Sequence, residues 1–435
     1  MKIKSGHILK TVILLQFILY LYLYLHYEVV SYTYISIISS ILFIPFAVLL
    51  VKNGTDRKTL YFGLTAAFAI RLLFINHFPI GSDDIYRYIW DGKVQHNGIN
   101  PYLYPPNASE LNHLSSAIIP GKVNFPDMKT IYFPLSQWLF YLGYAIGGEA
   151  VLGLKLLMLL FEMISVTGIL LLLKIRGMNA GNVLLYALCP LILSHIGIDA
   201  HLDGYGFTFF ILFLFFYLKP SGNENINKII SLIFLGFALS VKPAFLIALP
   251  AIFLYESNAK RKIIFPIIPA LILAIQFIPY LNTPDLFQAL LKFTKNWTFN
   301  GSIFSFINSF LEHNQKSRLI CLFLYAVVFL LYYIYTKRAH IEIDLYYTYL
   351  LMLIFSPVVH PWYIGWLIIL LPVAPRPSGI FYAALGSLTA ITIMNYQLYG
   401  VWKEYSLLLI AEYLPVIVLI VRELIFDGRE INVKN

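Results

Sequence analysis

The run ILKTVILLQFILYLYLYLH (8–26) decides the class of fold. Its polar side chains are confined to Lys10, Thr11, Gln16 and the terminal His26, and the rest is aliphatic or aromatic. A helix that crosses the hydrocarbon core of a bilayer needs about 20 such residues. Runs of the same kind recur along all 435 residues; the chain is 59% hydrophobic and 12% charged, with 34 Phe and 32 Tyr. Mean hydropathy is +0.75. The strands of a membrane β-barrel alternate over about 10 residues rather than running apolar throughout, which excludes a barrel. The expected fold class is therefore all-α, a polytopic helical membrane protein with roughly 12–14 transmembrane helices. Amphipathic helices are expected on its outer face. No polar stretch is long enough for a separate soluble domain, so 1–435 reads as one transmembrane domain. The first run lacks a small-residue cleavage site and reads as a retained helix rather than a signal peptide.

Working outward, spans are expected over 8–27, 33–51, 58–78, 151–173, 180–197, 204–219, 228–241, 243–256, 263–280, 318–336, 343–358, 362–374, 379–396 and 406–425. The aromatic, proline-started stretch 132–148 reads as a surface-lying helix or a partial span. The net charge of +9 invites a nucleic-acid reading, but the positions of the charges argue against it. Lys2, Lys4, Lys52, Arg57, Lys58, Lys174, Arg176, Lys260, Arg261, Lys262, Lys337, Arg338, Arg376, Arg422 and Arg429 sit in short gaps between apolar runs. Such gaps face the cytoplasm. This puts both termini inside, 79–130 outside as the first large extracytoplasmic loop, and 281–317 outside as a second such segment. Cys189 and Cys321 lie within apolar runs and read as packing residues. No fixed-period repeat is evident.

The unusual polar residues then fall on the other side. The segment SDDIYRYIWDG (82–92) suits an amphipathic interface helix over about 83–97, capped by Ser82 or Asp83 and stopped by Asn97-Gly98 and Pro101. Asp84, Arg87 and Asp91 share one face of it. A cap explains one acid, whereas two adjacent acids exceed what a cap needs. A carboxylate there can take a proton from a hydroxyl nucleophile or bind a divalent cation through oxygen. GIDAHLDG (197–204) brings His201 and Asp203, which can hydrogen-bond sugar hydroxyls, although Asp203 also suits a helix cap. Lys242 in SVKPAF breaks the positive-inside pattern, as do Lys292 and Lys295. A lysine at that depth snorkels or holds a phosphate as a point charge. His360 opens HPWYIGW (360–366) and accepts a hydrogen bond when neutral or contacts phosphate when protonated. The aromatic residues beside it also fit an interfacial belt. Three sequons, at Asn107, Asn296 and Asn300, match a motif short enough to occur by chance.

SDDIYRYIWDGKVQHNGINPYLYPP (82–106) resembles the first extracytoplasmic loop of GT-C fold glycosyltransferases, and within them the bacterial polyprenyl-phosphate-mannose-dependent mannosyltransferases. AHLDG, KPAF and HPWYIGW follow in the same order, so the resemblance runs from the third span to about residue 375. It implies transfer of a sugar, mannose in the closest relatives, from a polyprenyl-phosphate donor to an extracytoplasmic glycan, glycolipid or protein at the outer face of the plasma membrane. Arabinose, glucose and galactose stay open. It also implies inversion at the anomeric carbon and an acidic general base in the first loop. The D-(V/I)-Y pattern matches Asp84-Ile85-Tyr86, which makes Asp84 the first candidate and Asp83 the second. Lys242, His360 and Arg87 are candidates for the donor phosphate; His201, Asp203, Asp91 and Tyr363 for the acceptor or the sugar. No clean acid-x-acid motif stands at the first loop, so a divalent metal is possible but not required, and no other cofactor is implied. A transporter or flippase of a lipid-linked sugar is the alternative, and it would keep its ionisable residues near the middle of the membrane.

Overall fold

The computed structural model describes residues 2–336 and 340–430, with side chains over 6–336 and 340–425. Lys337 and Arg338, which entered the charge reading, lie outside the described residues, as do 431–435 and the side chains of Lys2, Lys4 and Arg429. Helices α1 to α6 cover Lys2–Leu25, Val29–Asn53, Arg57–Leu73, Asp84–His96, Pro134–Gly147 and Leu152–Ile175. Then come α7 (Leu184–Ala187), α8 (Asp203–Leu218), α9 (Glu224–Val241), α10 (Ala248–Tyr255) and α11 (Ala259–Phe277). The remainder are α12 (Gln288–Asn296), α13 (Ser302–Leu311), α14 (Asn314–Tyr335), α15 (Ile341–Phe355), α16 (Gly365–Ile368), α17 (Pro377–Leu385), α18 (Ala390–Tyr399) and α19 (Ser406–Glu430). Among the described residues the one strand-like contact is a parallel bridge between Phe299 and Val358.

Seven of the described helical segments are long and apolar enough to cross a membrane: 6–25, 29–53, 152–175, 224–241, 259–280, 314–335 and 377–399. An eighth is reached if Ala180–Ala187 and Ile192–Ile198, bent by 70°, count as one broken span. The chain is thus an all-helical integral membrane protein. The larger number of crossings expected from the apolar runs includes shorter helices such as Asp203–Leu218 and Pro243–Tyr255. These are apolar but fall below the roughly 20 residues of a full crossing.

The break at 187–192 has a local cause. Pro190 lacks an amide hydrogen and cannot continue the helical ladder, and the chain resumes as a π-helical turn over Ile192–Ile198. Buried polar groups hold the bend. Arg71 of α3 donates to the Ala187 and Ala67 carbonyls at 3.0 and 2.9 Å, and pairs bidentately with Glu162 of α6 at 2.7 Å. Glycines set another close approach. Gly143 and Gly147 of α5 face Gly153 of α6, where a Cβ would lie 2.0 Å from the Gly143 carbonyl oxygen. That small-residue spacing lets two membrane helices touch backbone to backbone. A Cβ on Gly92 of α4 would lie 2.4 Å from the Phe140 carbonyl oxygen. Helices α4, α5 and α6 therefore form one tightly layered unit, with α8 against α6 and α9 against α8.

Candidate active site

Helix α4 occupies nearly the range read from the sequence. Ser82 Oγ accepts from the Asp84 amide at 3.3 Å, and Gly98 at φ +75° closes the other end, a conformation that glycine adopts without Cβ strain. The turn leading into α4 is tied to the bend. The Gly81 amide donates to Asp199 Oδ1 at 3.2 Å, and Tyr32 donates to Asp199 Oδ2 at 2.8 Å. Lys155 of α6 donates to the Phe74 carbonyl at 2.7 Å and also to the His77 carbonyl. The N-terminus of α4 is thus fixed against the segment that carries His201.

There a linear chain of ionisable groups forms. His201 Nε2 lies 2.8 Å from Asp84 Oδ2, and His201 Nδ1 lies 3.0 Å from Asp203 Oδ2. Lys242 Nζ donates to the same Asp203 oxygen at 3.3 Å, and Trp366 Nε1 donates to Asp203 Oδ1 at 2.7 Å. The middle of the chain is sealed: the His201 and Asp203 side chains are 2% and 0% exposed. Its two ends are not, since Asp84 and Lys242 each keep 20% of their side-chain surface open. Ala200, at φ +53°, turns the chain so that Asp199 faces His195 and Tyr32 while His201 faces Asp84.

The electrostatics follow from these contacts. Burial alone would raise the Asp84 carboxyl, but the hydrogen bond and charge of His201, with the Asn124 amide at 2.7 Å, hold it down at about 2. Burial opposes a charge on His201, yet its bonds to Asp203 and Asp84 outweigh that and raise its pKa. Burial also works against the Lys242 ammonium, and the Asp203 charge more than offsets it, pushing Lys242 up to about 12. The resting site therefore alternates two carboxylates with two nitrogen groups whose cationic forms these contacts favour.

An aromatic frame holds this chain. The Trp362 ring stacks on His201 at 4.0 Å between centroids, and His360 stacks on Trp362 at 4.4 Å and 3°. Tyr363 stacks on Trp366 at 4.5 Å, and Lys242 Nζ sits 4.6 Å above the Tyr363 ring, a favourable cation–π position. The second polar segment is hooked in by Phe299, whose amide donates to the Pro357 carbonyl at 3.0 Å while its carbonyl accepts from Val359 at 2.7 Å. That brings Trp297 Nε1 within 3.2 Å of His360 Nε2.

Asp84, His201, Asp203, Lys242, His360 and Tyr363, read from four distant stretches, thus meet in one place. His360 is half-buried, and desolvation pulls its pKa down to about 3. Arg87 and Asp91 depart from expectation. They lie buried and bind each other at 2.9 Å; Arg87 also donates to the Met128 carbonyl and Asp91 accepts from Gln137. The i,i+4 spacing inside a packed interface satisfies them as a pair and turns them from the Asp84–Lys242 chain. Asp83 is exposed, and its Oδ1 shares the Asn124 amide with Asp84. Asn124 and Trp366 were missed; nothing local marks Asn124, whereas Trp366 stands one helical turn from Trp362 in a stretch already singled out. No group of three or more His, Cys, Asp or Glu among the described residues has the arrangement of a metal site.

Residues 17–257 match the family model described as the N-terminal domain of alpha-(1->6)-mannopyranosyltransferases. The matched range contains Asp84, Asn124, His201, Asp203 and Lys242, and leaves out the aromatic frame at 360–366. No curated protein and no solved structure gives a significant match.

Proposed function

The chain belongs to the alpha-(1->6)-mannopyranosyltransferase family, and from that premise we propose that it moves mannose, with inversion, from a polyprenyl-phosphate donor to a hydroxyl of an extracytoplasmic glycan or glycolipid. In this reading it sits in the plasma membrane with both termini in the cytoplasm and Asp84 at the outer face. The observation that carries the proposal is the open-ended chain Asp84–His201–Asp203–Lys242. It has a base at one accessible end and a cation at the other.

The acceptor oxygen attacks C1 of the mannose while the bond from C1 to the phosphate oxygen breaks. The hydroxyl proton passes to Asp84 and the lipid phosphate leaves toward Lys242. A single displacement gives an alpha product only from a beta-linked donor, so the donor is beta-linked in this scheme. A carboxylate held at about 2 is a weak base at rest. Covering the open face of Asp84 with bound substrate desolvates the carboxylate, which makes it more basic. His201 and Lys242 act in a partly enclosed site, where fixed charges stabilise a developing anion more than they do in water. The scheme routes no step through a divalent cation.

The test is transfer of radiolabelled mannose from polyprenyl-phosphate-mannose in membranes containing wild type or Asp84→Asn, with and without chelator. Loss of a general base lowers the rate by about 10²–10⁴-fold. Equal transfer by both proteins would remove Asp84 from the mechanism.

A further inference from the structure

Three of the four groups first assigned to the acceptor or the sugar are closed to it, and the fourth, Tyr363, is half-buried under Lys242. His201 and Asp203 are 2% and 0% exposed and Asp91 is 2% exposed, and each is satisfied by protein partners. A glycan must bind elsewhere within reach of Asp84. A cleft of about 360 Å³ lies beside the start of α4, lined by Tyr27, Glu28, Ser82, Asp83, Tyr86 and Gln397. This is within the range of small-ligand sites, about 300–1,000 Å³. It adjoins the Asp84 centre through Asp83, and the Asn124 amide bridges the Asp83 and Asp84 carboxylates at 3.0 and 2.7 Å.

We propose that this cleft is the acceptor subsite and takes the neutral, hydroxyl-rich end of a mannose oligosaccharide. The proposal rests on the glycosyl-transfer reading above. Two features of the lining select this ligand. First, Glu28 and Asp83 are exposed carboxylates that accept hydrogen bonds from hydroxyls and repel a phosphate, so the lipid donor is steered to the Lys242 end. Second, the walls are fixed in place. Tyr86 stacks on Phe78 at 5.3 Å and 11°, Tyr27 donates to the Phe78 carbonyl at 2.8 Å, and the Gln397 amide donates to the Ile80 carbonyl. The Glu28 carboxylate accepts a long bond from Ser31, at 3.4 Å. Acceptor and donor would then approach Asp84 from opposite sides.

The experiment uses the full chain in nanodiscs, a short alpha-linked mannose oligosaccharide, and the variants Glu28→Gln and Gln397→Ala, alone and together. Both positions are exposed. Oligosaccharide binding is read by thermal shift, and KM is measured separately for oligosaccharide and for polyprenyl-phosphate-mannose. The expected result is acceptor affinity weakened about tenfold or more by Glu28→Gln, the loss expected for a hydrogen bond to a charged group, with donor KM unmoved. Unchanged oligosaccharide binding in the double variant overturns the proposal. So does a rise in donor KM instead, or displacement of the sugar by MgCl2, which would make the carboxylates a cation site. Wild type that binds the oligosaccharide through these residues but transfers no mannose would leave the cleft standing and remove the transferase reading.

Discussion

Two buried ionic clusters in this protein invite comparison. Arg71 and Glu162 pair bidentately among the membrane helices with side chains 3% and 1% exposed, and Arg71 Nη1 donates to two backbone carbonyls. The Asp84–His201–Asp203–Lys242 chain is as well connected in its middle, but both ends are open. Both break the rule that charge avoids the interior. The closed cluster is sealed from any ligand and serves to hold the α3–α6 contact beside the helix break. The open one leaves a carboxylate and an ammonium group partly exposed at its two ends. Residual exposure at the ends, rather than the presence of buried charge, separates a site from a staple; by that criterion the Arg87–Asp91 pair is a staple too.

The contrast can be broken most directly by removing one member of each cluster. Asp84→Asn should cut mannose transfer by about 10²–10⁴-fold and lower the melting temperature in detergent less than loss of the closed pair does, because Asp84 is partly open to solvent. Glu162→Ala should do the reverse. It leaves Arg71 buried without its partner and costs about 3–5 kcal/mol of stability, read as a lower melting temperature and less monodisperse protein. If Asp84→Asn melts like Glu162→Ala, the two clusters are of one kind. Lys242→Met comes next. On the proposed reading Lys242 makes a charge-assisted contact to the donor phosphate, which amounts to about 1.5–3 kcal/mol, so KM for a polyprenyl-phosphate donor should rise about tenfold to a hundredfold with acceptor KM unmoved.

The smallest effect is one of pH. Because the Asp84 pKa is depressed, its contribution to stability is present above the ordinary carboxylate pKa and is lost only as pH falls through about 2. Asp84 therefore supplies no limb to a rate profile of the unliganded enzyme near neutrality. His201 is shifted the other way. Its stabilising charge is fully present below the ordinary imidazole pKa and is lost as pH rises through the elevated value. The decline in kcat/KM should thus lie on the alkaline side. Asp203→Asn removes one of the two acids that hold the imidazolium, so it should move that decline to lower pH. A profile in which Asp203→Asn leaves the alkaline limb in place would detach His201 from the reaction.

Much of this was legible in the sequence, for reasons of period and cost. Apolar runs of helical length report the membrane because nothing else tolerates them, and α4 was placed almost to the residue because Ser82 and Gly98 are local signals. Asp84, His201, Asp203 and Lys242 stood out because ionisable groups at the ends of spans need a reason. Their linkage did not, because His201 and Asp84 are joined across distant parts of the chain. The same holds for Arg87 and Asp91, whose fate was decided by Gln137 and Met128 folding back over α4. His360 was read as able to take a charge; Trp297 and the stack on Trp362 enclose it, and burial is a property of the assembled frame rather than of the residue. The break at Pro190 was passed over because the flanking run stays apolar through it.

Asn300 is clasped from several directions. Its side chain donates to Glu412 at 3.1 and 3.2 Å, its amide donates to Glu404 at 2.6 Å, and its carbonyl accepts from Tyr413 at 2.6 Å. It is the first residue of one of the three sequons, and the other two, at Asn107 and Asn296, lie exposed. A host that attaches oligosaccharides in its secretory pathway could therefore modify two of these asparagines in the folded chain and would find the third shut. Those two would serve as built-in flags of orientation, carrying glycans when the α4 end of the bundle faces the lumen and staying bare when it faces the cytosol.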